Sequence, residues 1–234
     1  MDRWCSMVVF DMAGTTVRDE DNAVATAVQR ALAESGCAID LVDVNPVMGM
    51  PKPLAIGSLL KAFGAPVDAT PANIERTHAR FQEIIVNYYR DAEHVEEMPG
   101  ASELFRTLRE HGIKVTLDTG FDRKTLDTIV ERLGWSDLLD ATVASDEVAQ
   151  GRPAPDMIRV LMERTGETDP SRVCKIGDSV SDLEQGVSAG CGLVVAMRCE
   201  RTRDVYGSYE GVVAIDRLAE LLPHLGIEYA GAER

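Results

Sequence analysis

An aspartate that ends a short apolar run, with a glycine–threonine–threonine turn just beyond it, is placed to act as a nucleophile. The run is Met7–Phe10, the aspartate is Asp11 and the turn is Gly14-Thr15-Thr16. A carboxylate delivered to the carboxyl end of a strand can attack phosphorus, while backbone N–H groups and hydroxyls such as that of Thr15 hold the phosphoryl oxygens. Three other segments carry matching chemistry: Asp118-Thr119-Gly120-Phe121, Gly151-Arg152-Pro153 and Gly177-Asp178-Ser179-Val180-Ser181-Asp182. They add a hydroxyl, a cation and a pair of carboxylates. That set suits phosphoryl transfer through an aspartyl-phosphate, with Mg2+ held by oxygen ligands.

Each segment follows, or opens, an element expected from the hydrophobic pattern. Apolar runs at 7–10, 113–117, 141–143, 173–176, 192–196 and 212–215 are rich in Val and Ile, as buried parallel strands are. Amphipathic stretches at 101–111, 123–133, 155–165, 181–189 and 217–224 read as helices between them. The alternation predicts an α/β fold with a doubly wound parallel sheet, and a site at the carboxyl ends of its strands. From about Arg18 to Glu97 the rhythm changes to helical patterns only, at 22–35, 53–63 and 71–89. The last places Phe81, Ile84, Ile85 and Tyr88 on one face. We read an all-helical insert, 18–97, lying as a lid over a core formed by 1–17 and 98–234. Its expected hinges are Thr16–Asp19 and Glu96–Gly100, with Glu96 and Glu97 solvated.

The 234 residues carry a net charge of −15, which disfavours nucleic acid and anionic membranes as partners. An anionic small-molecule substrate then needs local cations or a metal. Five cysteines with no C-x-x-C spacing read as reduced thiols in a cytoplasmic protein. No apolar run reaches membrane-spanning length and no signal peptide is evident.

The four segments, in order and each at a strand end, resemble the motifs of the haloacid dehalogenase superfamily. Within it the chain is similar to the phosphonatase family. Asp11-Met12-Ala13-Gly14-Thr15-Thr16 matches D-W-A-G-T-T with Met for Trp. Met48-Gly49-Met50-Pro51-Lys52 matches M-G-x-x-K. Gly151-Arg152-Pro153 and Gly177-Asp178-Ser179-Val180-Ser181-Asp182 match G-R-P and G-D-[TS]-V-S-D. The resemblance implies a Rossmann-like core with a helical cap of the C1 type, and a homodimer formed through the cap helices. It also implies roles. Asp11 attacks phosphorus, and the Ala13 carbonyl and Asp178 join Asp11 around Mg2+. Asp182 supports that metal shell. Thr119, the Gly120 N–H and Arg152 hold phosphoryl oxygens. Lys52 forms an imine with the substrate aldehyde, and Met48 and Gly49 belong to the substrate-binding motif.

Alanine at position 13 and lysine at position 52 make chemical sense together. Most relatives carry an aspartate as general acid where Ala13 stands, and such an acid contributes roughly 10²- to 10⁴-fold when an alkoxide leaves. A carbon–phosphorus bond releases a carbanion instead. An iminium on the adjacent carbon accepts those electrons as an enamine, so the amine replaces the acid. To condense, Lys52 should be partly neutral, with a pKa near about 7–8. Two departures from the family are visible: Ala55 stands where a histidine is usual, and Phe121 where a tyrosine is usual. Neither His78 nor His94 has the local spacing to replace that histidine, although folding could bring one near. The leading expectation is therefore a Mg2+-dependent hydrolase of a small phosphonate aldehyde such as phosphonoacetaldehyde. A phosphomonoesterase for a small metabolite, and a non-catalytic phosphoanion sensor, remain alternatives. Among single residues, Lys52 alternatively reads as a solvated loop lysine, Asp118 as either a supporting or a solvated group, and Met48 and Met50 as pocket lining or insert packing.

Overall fold

The apolar runs become the strands of one parallel sheet. The computed structural model describes residues 4–19, 22–48, 50–65, 69–199, 207 and 209–228. In it β1 (Met7–Phe10), β2 (Lys114–Thr119), β3 (Ala141–Ala144), β4 (Val173–Gly177), β5 (Leu193–Met197) and β6 (Val212–Ile215) pair in the order β3-β2-β1-β4-β5-β6. All five pairings are parallel. Every residue of β1 is buried, because it lies at the centre of a sheet covered on both faces. The strand order reverses between β1 and β4, and there the connecting segments leave a crevice at the carboxyl ends.

Five helices after β1 alternate with the strands: α5 (Ala101–Glu110), α6 (Arg123–Arg132), α7 (Asp156–Thr165), α8 (Val180–Ala189) and α9 (Leu221–His224). Each lies within a residue or two of its expected place except the last. The stretch 217–224 divides into a 3-10 turn at Leu218–Glu220 and the four-residue α9, since Pro223 removes an N–H donor within it. On the core face, Phe105 packs edge-on against both Phe10 and Trp135, with ring centroids 5.1 and 5.2 Å apart. These aromatic contacts fix α5 to the centre of the sheet.

The longer elements among the insert's described residues are all helices: α1 (Ala23–Glu34), α2 (Leu41–Val44), α3 (Lys52–Phe63) and α4 (Pro71–Asp91). The short α2 and the 3-10 turn Asn45–Val47 that follows were not foreseen. They are too brief to show a helical period. Helix α4 starts with Thr70, whose hydroxyl accepts from the Asn73 N–H, and Pro71 fills the first turn. Its buried face runs Asn73, Thr77, Phe81, Ile85 and Tyr89. Ile84 and Tyr88, expected on that face, sit half-buried beside it, because spacing by four and not by three faces the core of this long helix. Helix α4 packs on α1 and α3 within the insert and also on α6 of the core.

The two expected hinge segments lie side by side. Val17 bridges Glu97 in antiparallel fashion, the Arg18 N–H donates to the Glu96 carbonyl at 3.0 Å, and the Met98 N–H donates to the Thr16 carbonyl at 2.7 Å. Glu97 is not the solvated residue expected. It is half-buried and accepts from the indole N–H of Trp135 at 3.2 Å and from the Ser102 hydroxyl. No helix among the described residues is long and apolar enough to cross a membrane. All five cysteines lie among the described residues and none is in a disulfide, and Cys174 is a buried core residue of β4.

Candidate active site

Asp11 is the first residue beyond β1, and its N–H still donates to Ile176 of β4 at 3.0 Å. The chain then turns sharply: the N–H groups of Thr15, Thr16 and Val17 all converge on the Met12 carbonyl. The Thr16 hydroxyl donates to the Asp11 carbonyl at 2.8 Å and the Thr15 hydroxyl to Asp11 Oδ2 at 3.3 Å. The carboxylate is thus aimed by its own turn into the crevice.

A buried charge network surrounds it. Arg152, which opens the segment before α7, is buried, and its Nη1 donates to Asp11 Oδ1 at 2.7 Å and to Asp182 Oδ1. Asp182 lies in the first turn of α8, whose start is capped by the Ser179 hydroxyl. That hydroxyl also donates to Asp182 Oδ2. Asp182 comes this close only because residue 177 is glycine, since a Cβ there would stand 2.3 Å from Asp182 Cγ. Lys175 of β4 completes the network, with its Nζ 2.5 Å from Asp118 Oδ1 and 3.0 Å from Asp182 Oδ1.

The carboxylates divide according to how many cations each one has. Burial pushes the Asp182 carboxyl upward, but Arg152 and Lys175 together outweigh it and hold the group down at about 2. Asp11 has Arg152 as its close cation. Burial raises it from 3.8 to about 7, against the pull of Arg152 and with the help of neighbouring Asp182 and Asp178. Two carboxylates share one guanidinium, and the one with a second cation stays ionised.

On the opposite wall stands the insert. Lys52 is the first residue of α3, behind Pro51. It is buried at 4% exposure, not the solvated loop lysine of the alternative reading. Its Nζ donates to the Met50 carbonyl at 3.3 Å and lies 5.5 Å from the centre of the Phe121 ring. Phe121 packs edge-on against Tyr89 of α4, so core and insert meet over the ammonium. His78 of α4 is held below its ordinary value, chiefly by burial, with opposing contributions from Asp122 and Lys52. Folding thus brings His78 within electrostatic reach of Lys52.

Lys52 and Met48 of the insert, Ala13, and Thr119 and Gly120 of the core line one cavity with Asp11. Arg152 and Asp178 complete its wall. Its volume of about 20 Å3 is that of roughly one water molecule. The closure is steric. Gly151 backs directly onto Pro51, and a Cβ on residue 151 would lie 2.4 Å from the proline Cγ. The residues preceding Lys52 and Arg152 are therefore in contact, and the insert stands shut on the core.

Of the residues expected from the sequence, Asp11, Ala13, Met48, Lys52, Thr119, Gly120, Arg152 and Asp178 share this cavity, with Thr15 and Asp182 bonded to its wall. Gly49 lies outside the described residues. Asp118, left open between two readings, is fully buried and paired with Lys175. Lys175 itself was overlooked. Its signal was a lysine in the middle of an otherwise apolar strand, Val173-Cys174-Lys175-Ile176. Oxygen atoms of Asp11, Asp118 and Asp182 lie within 4.8 Å of one another, but Arg152 and Lys175 already bridge them. Counting Asp178 and Lys52 of the same cavity, four carboxylates face three cations. This oxygen-rich, net anionic donor set fits a hard divalent ion.

Comparison with known proteins agrees with this architecture. A family model described as haloacid dehalogenase-like hydrolase matches residues 5–190. The phosphonoacetaldehyde hydrolase of Bordetella avium (strain 197N) is 30% identical over 220 residues, which is 88% of this chain and 77% of that protein. The phosphoglycolate phosphatase of Rhodospirillum rubrum is 28% identical over 229 residues, 97% of this chain and 93% of that one. The crystal structure of a phosphonoacetaldehyde hydrolase like protein from Oleispira antarctica superposes with a TM-score of 0.79 at 21% identity, covering 95% and 91% of the two chains, and so shares the fold. With a parallel sheet of this order and an aspartate at the end of its first strand, the chain belongs to the haloacid dehalogenase-like hydrolases.

Proposed function

We propose that this hydrolase cleaves the carbon–phosphorus bond of a small phosphonate aldehyde such as phosphonoacetaldehyde. The observation that carries the reading is a buried lysine, Lys52, sharing a narrow cavity with Asp11 while position 13 offers no acid. In this reading residues 18–97 are a cap domain and 1–17 with 98–234 the core domain of a cytoplasmic enzyme. Arg152, Thr119 and the Gly120 N–H bind the phosphoryl oxygens. The Arg152 Nε–H, buried and without a partner, is a donor that such an oxygen can satisfy. Asp11, the Ala13 carbonyl and Asp178 would hold Mg2+, because those three residues line the cavity, whereas Asp118 and Asp182 lie behind it on Lys175. The ion supplies charge neutralisation that lets a carboxylate approach an anionic phosphoryl group.

The neutral Lys52 amine adds to the aldehyde carbon, and loss of water leaves an iminium. His78, held below its ordinary value and therefore neutral near pH 7, is available for the proton movements of that dehydration. Asp11 Oδ attacks phosphorus, and the electrons of the breaking carbon–phosphorus bond pass into the iminium to give an enamine on Lys52. Water then cleaves the aspartyl-phosphate to release phosphate. Protonation and hydrolysis of the enamine return Lys52 and release the aldehyde product. Borohydride reduction in the presence of phosphonoacetaldehyde should attach a two-carbon adduct to Lys52. Absence of that adduct, together with phosphate release that survives Lys52→Ala, refutes the imine route.

One observation favours a second reading. The Rhodospirillum rubrum relative named phosphoglycolate phosphatase matches over nearly the whole chain. Under that reading Lys52 is an ion-pair partner for a substrate carboxylate, and kcat/KM for phosphate esters exceeds that for phosphonoacetaldehyde.

A further inference from the structure

Two buried charges take no part in the chemistry above. Lys175 and Asp118 are both fully buried, on the two strands that flank β1, and they bond to each other. The ammonium also reaches Asp182 Oδ1 at 3.0 Å. That same oxygen accepts from Arg152 Nη1, which donates to Asp11 Oδ1 at 2.7 Å. The charges alternate without a break, Asp118–Lys175–Asp182–Arg152–Asp11, from β2 past β4 to the end of β1. One guanidinium nitrogen is divided between two carboxylates, while Arg152 Nε has no partner.

We propose that Lys175 is a positioning residue, a standing counter-cation that keeps Asp182 paired and so frees Arg152 to serve the phosphoryl group. The inference rests on Arg152 and Asp11 forming a phosphoryl site, and not on which bond is broken there. A carboxylate left alone in a protein interior is strongly disfavoured. If Arg152 were the single cation of Asp182, turning its guanidinium toward a phosphoryl oxygen would strand that carboxylate. With Lys175 in place, Asp182 keeps an ammonium partner, shared with Asp118, and the Ser179 hydroxyl when Arg152 moves. Asp118 grips the ammonium from the far side, where one oxygen bonds Nζ and Oδ2 has no partner. That grip fixes the ammonium but is not itself the service to Arg152.

The test is calorimetric titration of inorganic phosphate into the Mg2+-supplemented full-length protein, with melting temperature measured beside it. Lys175→Met should weaken phosphate binding by roughly tenfold or more, the scale of a charge-assisted bond lost to a competitor. The double variant Asp118→Asn/Lys175→Met removes the opposing buried charges together. It should melt close to the wild type and yet bind phosphate as weakly as Lys175→Met. Asp118→Asn alone, which leaves Lys175 on Asp182, should keep the wild-type affinity. Wild-type phosphate affinity in the double variant would overturn the proposal, because Lys175 would then merely neutralise Asp118. Equal weakening in Asp118→Asn alone would overturn it as well, because Lys175 still pairs Asp182 in that variant. Lys52 is unchanged in every variant compared, so a negative borohydride result removes the carbon–phosphorus reading and leaves this one intact.

Discussion

Replacing Gly151 with alanine perturbs the contact that shuts the insert on the core. The added Cβ would lie 2.4 Å from Pro51 Cγ and 3.5 Å from Pro51 Cβ and Cδ, whereas non-bonded carbons rest at about 3.5–4.0 Å. The proline ring cannot rotate away, so residue 51 must retreat by about 1 Å, carrying Lys52 at the start of α3 with it. Gly151 precedes Arg152 in an exposed-to-half-buried loop and the sheet lies elsewhere, so the core fold should survive. A displacement of that size at a reacting group costs on the order of 10²-fold. The expected result is a fall of about 10²-fold in kcat/KM, equivalent to about 2.7 kcal/mol of transition-state stabilisation, with a melting temperature near that of the wild type. Pro51→Ala removes Cγ, and the pair Gly151→Ala/Pro51→Ala should recover much of the loss. Steady-state kinetics on the three variants, with borohydride trapping of Lys52 as a second readout, measures this. Full activity in Gly151→Ala would show that the closed contact does not set the reacting geometry.

Two other outcomes follow from the buried groups. Burial, opposed by Arg152 and reinforced by Asp182 and Asp178, raises Asp11 from 3.8 to about 7. Its contribution therefore favours the folded state most at low pH and is lost as pH rises through about 7. Mg2+ needs the carboxylate, so its addition should raise the melting temperature more at about pH 8 than at about pH 5.5; equal shifts would contradict the assignment of Asp11 as a ligand. Trp135 is fully buried, packs on Phe105 and donates to Ser102 Oγ at 3.0 Å and Glu97 Oε2 at 3.2 Å. Trp135→Ala should lower stability by about 3–5 kcal/mol in urea unfolding, and a loss under about 1 kcal/mol would mean that α5 is held to the sheet by other contacts.

Much of the candidate site was legible because each of its segments is contiguous and follows a strand or leads into a helix. Asp11, Thr119, Arg152, Asp178 and Asp182 could be named from local pattern, since a parallel sheet gathers all carboxyl-end loops on one side. Local pattern did less well where an element is short or where the partner is remote. Helix α2 has four residues and no period to read. Glu97 looks like one of several hinge acids, and only its distant partner Trp135 distinguishes it. Asp118 was ambiguous for the same reason, because its partner Lys175 is 57 residues away.

By itself the sequence determined the alternation of strand and helix, the place of the helical insert and the turn that follows Asp11. These depend on hydrophobic period and on residues close in the chain. Tertiary structure alone decided that Lys52 is buried beside Asp11, that Gly151 meets Pro51, and that Arg152 is shared between two carboxylates. It also turned Lys175 from an anomaly in an apolar strand into the second cation of the site. The reason is physical: burial and charge pairing are properties of groups brought together from distant parts of the chain, and their energies arise only once water has been excluded between them.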